Sequence, residues 1–359
     1  MITSPPYWRQ LRYSESENEL GQESTPQEYI EKICLLFNKL KLKLKDYGSL
    51  WVNVADNFIS NKMKRISKQP QLDPLSLAAI PELFKTTMIY KYQWICRNDI
   101  IWYKPNARPS GGVSSRFGVD YERLLWFVKD PQYYFVTQRL PHEWIEKDNL
   151  SLIGKSSKAD LLDLNSKKSV GMHEALSLRG KQRTKRYHPL GKLMRSVWPI
   201  NIQPEEIPFV IYPTIWTINT TGYSGKHFAP FPTKLVLRIL TATCPRKVCK
   251  KCGKPIFDPL VENYYPKLTL KILCACGTAL ESDSSSPGCV YDPLAGTGTV
   301  AKAAIECGRN YIVSEILENN VQQIHNRIKN AEFKDYYLME FLDYTEKLKQ
   351  GSSEELNKR

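Results

Sequence analysis

The chain has 359 residues, of which 42% are hydrophobic and 25% charged, and this composition is that of an ordinary globular protein. It excludes a disordered tail, a collagen and a small disulfide scaffold. The 51 Lys and Arg residues outnumber the 37 Asp and Glu, so the formal net charge is +14, which favours nucleic acid or an anionic membrane surface as partner.

The N-terminal part, residues 1–140, alternates between turn-rich and apolar stretches. A helix is predicted from Thr25 through Leu36, because a proline at its first position and Glu28 at its third suit a helix start. Three buried strands are predicted at Gly48–Asp56, Asp99–Tyr103 and Glu122–Lys129. Alternation of such strands with helices indicates an α/β fold with a mostly parallel sheet.

The middle part, residues 141–220, is more polar and more basic. Seven Lys and Arg and no acid fall between Arg179 and Arg195. Such a run is typical of a solvated face or of a loop that contacts nucleic acid. Because arginine suits guanine edges, the candidates for base contacts are Arg183, Arg186 and Arg195.

The first chemical motif is Thr3-Ser-Pro-Pro-Tyr-Trp8. Two prolines remove backbone donors and fix φ, so the neighbouring carbonyl groups are presented rigidly beside the Ser4 hydroxyl. Tyr7 can stack on a flat ring. Two acceptors and a stacking face suit the exocyclic amine of a base that has left the helix stack, although a purely structural turn has the same composition.

The second motif lies near the C-terminus. An apolar strand ends at Asp292, a turn with Gly296 and Gly298 leads into a helix, and a second strand ends at Glu315. This order is typical of a βαβ nucleotide site, in which glycines let the backbone approach a ligand and the acid binds ribose hydroxyls.

Six of the nine cysteines fall between Cys244 and Cys289. Two close pairs, each followed by glycine, form a knuckle pattern: Cys249, Cys252, Cys274 and Cys276. Thiolates at such spacing favour a structural Zn²⁺ ion, and the alternative is a set of reduced, unligated cysteines. A catalytic metal is not expected, because catalytic sites keep an open position and usually include His or an acid.

Together these motifs resemble the beta class of amino-group DNA methyltransferases, which use S-adenosylmethionine. In that family the Ser-Pro-Pro-Tyr-Trp motif precedes the Asp-Pro-x-x-Gly-x-Gly motif, as it does here. The resemblance covers most of residues 1–340. It implies a Rossmann-like α/β core with circularly permuted motif order, a target recognition region and a small zinc-knuckle-like insertion.

The resemblance also implies a division of the chain. The implied parts are a catalytic half at 1–140, a target recognition region at 141–220, a cofactor-binding half at 221–345 with a cysteine-rich insertion at 244–289, and a polar tail at 346–359.

The family implies roles for the motif residues. In the Ser4-Pro5-Pro6-Tyr7 loop, Ser4 and the Pro5 carbonyl accept hydrogen bonds from the target amine, and Tyr7 stacks on the flipped base. The implied residues for S-adenosylmethionine are Asp292, Gly296, Gly298 and Glu315, with Phe228 and Pro230 packing nearby. A plain core-packing loop is the alternative for Phe228 and Pro230.

The implied activity is methyl transfer to the N4 amine of cytosine in double-stranded DNA, in restriction–modification with a separately acting endonuclease. Ser4, where adenine enzymes more often have Asp, favours cytosine over adenine N6. No membrane partner is expected, and the absence of a signal peptide or apolar span predicts a cytoplasmic protein.

The sequence departs from the family pattern in two places. Only three residues precede Ser4, fewer than an average strand of about five residues, and Leu294 stands where an aromatic residue is usual. The short N-terminus leaves a catalytically impaired DNA-binding remnant as an alternative, whereas Leu294 is a conservative change that should keep cofactor binding. RNA or protein glutamine methylation fits Ser4 less well, and a nicotinamide oxidoreductase would need a third glycine in the turn.

Overall fold

The computed structural model describes residues 1–10, 12, 19–61, 63, 73–104, 119–136, 139–140, 192–193, 215–220, 231–256, 274, 276 and 284–334. Contacts divide the chain into two units. One consists of Met1–Val136, Ser196–Trp198 and Ile211–Arg359, and the other of Thr137–Arg195 and Pro199–Val210. The predicted tail at 346–359 lies outside the described residues.

The strands, in chain order, are β1 (Ile2–Thr3), β2 (Ser49–Val54), β3 (Ile95–Tyr103), β4 (Tyr121–Val128), β5 (Arg139–Leu140), β6 (Lys192–Leu193), β7 (Ile215–Thr217), β8 (Lys247–Cys249), β9 (Pro255–Ile256), β10 (Ser285–Ser286), β11 (Cys289–Asp292) and β12 (Asn310–Val313). The helices are α1 (Pro26–Lys41), α2 (Ile80–Tyr90), α3 (Thr233–Thr243), α4 (Thr299–Glu306) and α5 (Glu318–Lys329). Among the described residues, no helix combines the length and apolar character that crossing a bilayer requires.

The predicted helix start is confirmed. The Thr25 hydroxyl accepts a hydrogen bond from the Glu28 backbone N–H at 3.1 Å, which satisfies one of the unpaired donors of the first turn. The helix continues past Leu36 to Lys41. The three predicted strands correspond to β2, β3 and β4, and β3 begins four residues earlier than predicted, at Ile95.

The main sheet has the strand order β1-β2-β4-β3-β7. The β1–β2 and β3–β7 pairs are parallel, as is the separate β11–β12 pair, whereas β4 is antiparallel to both of its neighbours. Strands β3 and β4 are consecutive among the described elements and pair with each other antiparallel. Strand β11 lies beside β1, so the two predicted motifs leave neighbouring strands.

Both faces of the main sheet are buried. On β2, Trp51 packs in a cluster with side chains of α3 and α4, whereas Leu50 and Val52 pack in a cluster with side chains of α1 and α2. Because successive side chains of a strand point to opposite faces, one pair of helices covers each face. The resulting helix–sheet–helix layering is the predicted Rossmann-like α/β arrangement.

A buried hydrogen bond joins sequence-distant parts of this core. The Trp51 indole N–H donates to the Thr243 hydroxyl at 3.0 Å, and that hydroxyl donates to the Ile239 carbonyl at 2.9 Å. The Trp51 ring also stacks on Trp126, with centroids 4.9 Å apart. Strand β2 is thereby fixed to the C-terminal end of α3.

Replacing Thr243 with valine is expected to lower the free energy of unfolding by about 1–3 kcal/mol, because it keeps the volume but leaves a buried indole donor unpaired. Denaturant titration measures this change. Thr86→Val is the matched control, since the exposed Thr86 hydroxyl donates only to carbonyls of its own helix. Equal losses in both variants would contradict a role for the Trp51 contact.

Candidate active site

The Ser4–Tyr7 loop begins where β1 ends. The Ser4 hydroxyl donates to the Asn53 carbonyl at 3.4 Å, and the Pro6 carbonyl accepts a hydrogen bond from the Tyr29 hydroxyl at 2.8 Å. No described residue donates a hydrogen bond to the Pro5 carbonyl, although Pro5 is buried. Hydrogen bonds of Ser4 and Pro6 therefore hold the loop in place, while the Pro5 carbonyl remains able to accept a hydrogen bond.

A buried polar network fixes the far end of Tyr7. Its hydroxyl donates to Glu122 Oε2 at 2.6 Å, and the Asn53 amide donates to the same oxygen at 2.6 Å and to the Tyr7 hydroxyl at 3.1 Å. The other carboxylate oxygen of Glu122 accepts from Lys104 at 2.9 Å. Burial, followed by the adjacent Glu122 carboxylate, raises the pKa of Tyr7, so the phenol is neutral.

The segment after the loop packs tightly against it. Trp8 is 1% exposed, and its indole N–H donates to the Glu23 carbonyl at 3.0 Å. Gly21 has φ +93°, and a Cβ there would lie 3.3 Å from the carbonyl oxygens of Pro6 and Tyr7. Only glycine combines that φ with such a close approach, so Trp8 and Gly21 support the loop structurally.

Asp292 ends β11 beside the Ser4–Tyr7 loop. Its carboxyl group lies next to the Thr3 side chain, which directly precedes Ser4. The same carboxyl group accepts a hydrogen bond from the Leu294 backbone N–H at 3.1 Å, and the residue is 1% exposed. Burial raises the pKa of Asp292 to about 7, because water is excluded from the charged form.

The glycine turn and Glu315 are in direct contact. The Gly296 backbone N–H donates to Glu315 Oε2 at 2.8 Å, while Oε1 accepts from the backbone N–H groups of Ile316 and Leu317. Gly298, with φ +78°, is the N-cap of α4, so the turn enters the helix through a left-handed backbone conformation. The structure thus brings together the four predicted cofactor residues that it describes: Asp292, Gly296, Gly298 and Glu315.

Helix α5 supports this turn through a contact that sequence reasoning missed. Arg327 donates to the hydroxyl groups of Thr297 at 2.8 Å and Thr299 at 3.0 Å. Both threonines are buried, and they flank Gly298. The guanidinium therefore stabilises the turn from the side of α5.

Other predicted residues lie outside the described part of the chain: Phe228, Pro230, Arg183, Arg186 and Arg195. Besides Arg327, sequence reasoning did not single out Asn53, Lys104 and Glu122. The available signal was an acid at the start of the apolar stretch that forms β4 and a lysine directly after β3. Neither position could be connected with Tyr7 before the strand order was known.

The four predicted metal ligands do come together. The sulfur atoms of Cys249, Cys252, Cys274 and Cys276 all lie within 4.8 Å of one another.

A cavity of about 700 Å³ lies mainly at the opposite ends of the strands, near Met1, Ser49, Cys289 and Asn310. None of the predicted catalytic or cofactor residues lines it. It is therefore distinct from the edge where the two motifs meet.

Comparison with known sequences decides the family. The family model of the N6/N4 methyltransferases, described as DNA methylase, matches residues 1–261. The chain belongs to this family of DNA methylases. The resemblance seen in the motifs is thereby confirmed.

Known relatives of this DNA methylase are similar over different shares of their length. The type II methyltransferase M.Cfr9I of Citrobacter freundii is 25% identical over 289 residues, which cover 76% of this chain and 72% of that protein. The type II methyltransferase M.MwoI of Methanothermobacter wolfeii is 39% identical over 131 residues, 36% of this chain and 18% of that protein. Among solved structures, PvuII DNA methyltransferase (cytosine-N4-specific) has 15% identity and a TM-score of 0.45, covering 94% of this chain and 87% of that one.

Proposed function

We propose that this DNA methylase transfers a methyl group from S-adenosylmethionine to the N4 amine of a flipped cytosine in double-stranded DNA. The observation that carries the proposal is the meeting of two motifs at one sheet edge. The Ser4–Tyr7 loop leaves β1, and the Asp292 turn leaves β11 directly beside it. A base bound by the first motif and a methyl donor bound by the second would therefore lie side by side, as direct transfer requires.

The cofactor is assigned to the turn after β11. The αL backbone at Gly296 and Gly298 leaves room for close approach, and Glu315 offers acceptors for ribose hydroxyls at the end of the next strand. In the structure Glu315 accepts a hydrogen bond from the Gly296 N–H, so the glycine turn and the Glu315 carboxylate lie side by side. Phe228 and Pro230 are assigned to packing nearby by the family resemblance.

The catalytic loop is assigned to the target amine. S-adenosylmethionine supplies an electrophilic methyl group bound to a sulfonium. Ser4 and the Pro5 carbonyl accept the amine hydrogens and direct the nitrogen lone pair at that methyl group, while Tyr7 stacks on the base. Transfer would form the new N–C bond as the C–S bond breaks, leave the neutral thioether S-adenosylhomocysteine, and release one amine proton to solvent. The reaction removes charge from sulfur, so orientation in a dry site contributes more than a strong base.

Cytosine is favoured over adenine because Ser4 occupies the first position of the loop. The basic region 141–220 is assigned to target recognition, with Arg183, Arg186 and Arg195 as candidate contacts to DNA. The net charge of +14 supports binding to phosphates, a term that weakens steeply with salt. The type II relatives support a place in restriction–modification beside a separate endonuclease.

The experiment incubates purified protein with double-stranded DNA and labelled S-adenosylmethionine, and identifies modified nucleosides by mass spectrometry. N4-methylcytosine is the expected product, and RNA and protein are expected to stay unlabelled. Detection of N6-methyladenine instead would be consistent with the same mechanism but would overturn the assignment of cytosine as the target base. DNA binding with bound cofactor but without product would overturn catalysis and favour the impaired remnant.

A further inference from the structure

The cysteine cluster belongs to a small sheet that is separate from the strands leading to the loop at Ser4 and the turn at Gly296. Strands β8, β9 and β10 form a three-stranded antiparallel sheet, which carries Cys249 and Cys252 in and just after β8. Cys274 and Cys276 reach the same point from the sequence between β9 and β10. Chain topology therefore collects four thiols at one position.

The sulfur geometry fits one tetrahedral ion. The Cys249 and Cys276 sulfur atoms are 3.8 Å apart, and those of Cys252 and Cys274 are 3.2 Å apart. Four thiolates about 2.3 Å from a central Zn²⁺ ion are separated by about 3.8 Å. A disulfide would require about 2.05 Å, so these cysteines do not form two crosslinks, and the spacing of their sulfur atoms suits four ligands of one metal ion.

The backbone around Cys249 and Cys252 forms a tight turn. Gly253 donates its N–H to the Cys249 carbonyl at 2.8 Å, and the Cys249 N–H donates to the Lys254 carbonyl at 2.9 Å. Gly253 has φ +69° with open space where a Cβ would stand, so glycine is required by the turn and not by packing. The turn folds Cys252 back towards Cys249.

The described residues of the small sheet bury only a few apolar side chains. Among the described residues, its buried cluster consists of Cys249, Cys274 and Ile256, with Cys276 packed against it. In the part of the sheet that the structure describes, strands of two or three residues around one isoleucine bury little apolar surface. A metal bound by the four thiols would add stabilisation there, as it does in small metal-dependent domains.

We propose that Cys249, Cys252, Cys274 and Cys276 bind one structural Zn²⁺ ion, which fixes the start of the cofactor strand β11. Four soft thiolates in a closed tetrahedral set select zinc over hard cations. Nearby lysines offset the negative charge of the site: Lys247, Lys250, Lys251 and Lys254.

The link to β11 is short and covalent. Strand β10 pairs with β8, the Lys250 N–H donates to the Ser284 carbonyl at 2.9 Å, and β11 begins three residues after β10 ends. A Cβ at Gly288 would lie 2.2 Å from the Pro245 carbonyl, so the chain segments entering and leaving the sheet are in contact. Loss of the metal is expected to loosen the start of β11 and thereby to weaken cofactor binding at the other end of the strand.

The test measures metal in the full-length protein by elemental mass spectrometry. One Zn²⁺ per chain is expected, with loss of that metal in Cys249→Ser and Cys276→Ser. Cys289→Ser is the matched control, because Cys289 is an exposed cysteine on β11 outside the cluster. This variant should retain its full metal content. Metal-free protein, stoichiometric iron or equal metal loss in the control would overturn the proposal.

Two measurements on the unsubstituted protein keep the test decisive if the variants do not fold. Replacement of zinc with Co²⁺ should give thiolate-to-cobalt charge-transfer absorption, and a strong chelator should lower the melting temperature. Thiol titration of denatured, metal-free protein should find nine free thiols. Two disulfides among these four cysteines would contradict the metal site, whatever the outcome of the methyl-transfer assay.

Discussion

Replacing Glu122 with glutamine is expected to reduce the turnover of methyl transfer by about 100-fold, the loss that a displacement of about 1 Å in an orienting group can cause. Cofactor affinity should remain unchanged, because Glu122 contacts the Tyr7 side of the site and not the turn at Gly296. Glu122 is thus a positioning residue, which acts through Tyr7.

The physical reason lies in the donors around one carboxylate. Tyr7 and Asn53 both donate to Oε2, and Lys104 donates to Oε1. A glutamine amide has an oxygen that accepts and an NH₂ group that only donates. Because donors approach both ends of the Glu122 carboxylate, the NH₂ group of glutamine would have to face another donor. Weakening the partly buried Lys104–Glu122 ion pair in this way destabilises the network. Tyr7 should then move out of the position in which its ring can stack on the base.

Single-turnover kinetics with saturating DNA and cofactor measure the effect, and calorimetry measures cofactor binding separately. Glu82→Gln is the matched control. The exposed Glu82 forms an ion pair with Arg123, and Arg123 lies on the same strand as Glu122. Tyr7→Phe removes only the hydroxyl and should give a smaller loss than Glu122→Gln. If Glu122→Gln lost cofactor affinity and turnover in parallel, Glu122 would be structural and not positioning.

Replacing Gly298 with valine is expected to weaken cofactor binding by about tenfold or more. A non-glycine residue in the left-handed region costs about 1–2 kcal/mol, and each 1.4 kcal/mol corresponds to a factor of ten. A Cβ at Gly298 would also lie only 3.0 Å from the Ile324 side chain of α5. Relief of this contact displaces the turn that carries the Gly296 N–H.

A double-substitution series separates the two causes. Gly298→Ala with Ile324→Ala removes the steric contact but keeps the unfavourable φ, so partial recovery of cofactor affinity is expected relative to Gly298→Ala alone. Gly308→Val is the control, because Gly308 also has positive φ, +67°, and meets Phe333 at the other end of α4. It should lower stability while the folded protein keeps its cofactor affinity, and an equal loss of affinity would contradict a local role for Gly298.

Local sequence was sufficient for several features. The Thr25 cap, the three apolar strands and the glycine turn depend on neighbouring residues, so their patterns predicted the start of α1, the strands β2, β3 and β4, and a glycine turn leading into a helix. Glycine adopts the left-handed backbone that other residues avoid, and a capping hydroxyl favours the extended backbone of a helix N-cap. These preferences act over a few residues and can therefore be seen in a sequence.

The sequence by itself determined the motifs, their permuted order and hence the family. Tertiary structure alone decided which distant residues meet: Glu122 with Tyr7 across 115 positions, Trp51 with Thr243 across 192, and Arg327 with the turn across about 30. It also turned two spaced cysteine pairs into one cluster within 4.8 Å. The reason is that strand order and strand direction set these contacts, as in the antiparallel β4, and no local preference specifies them.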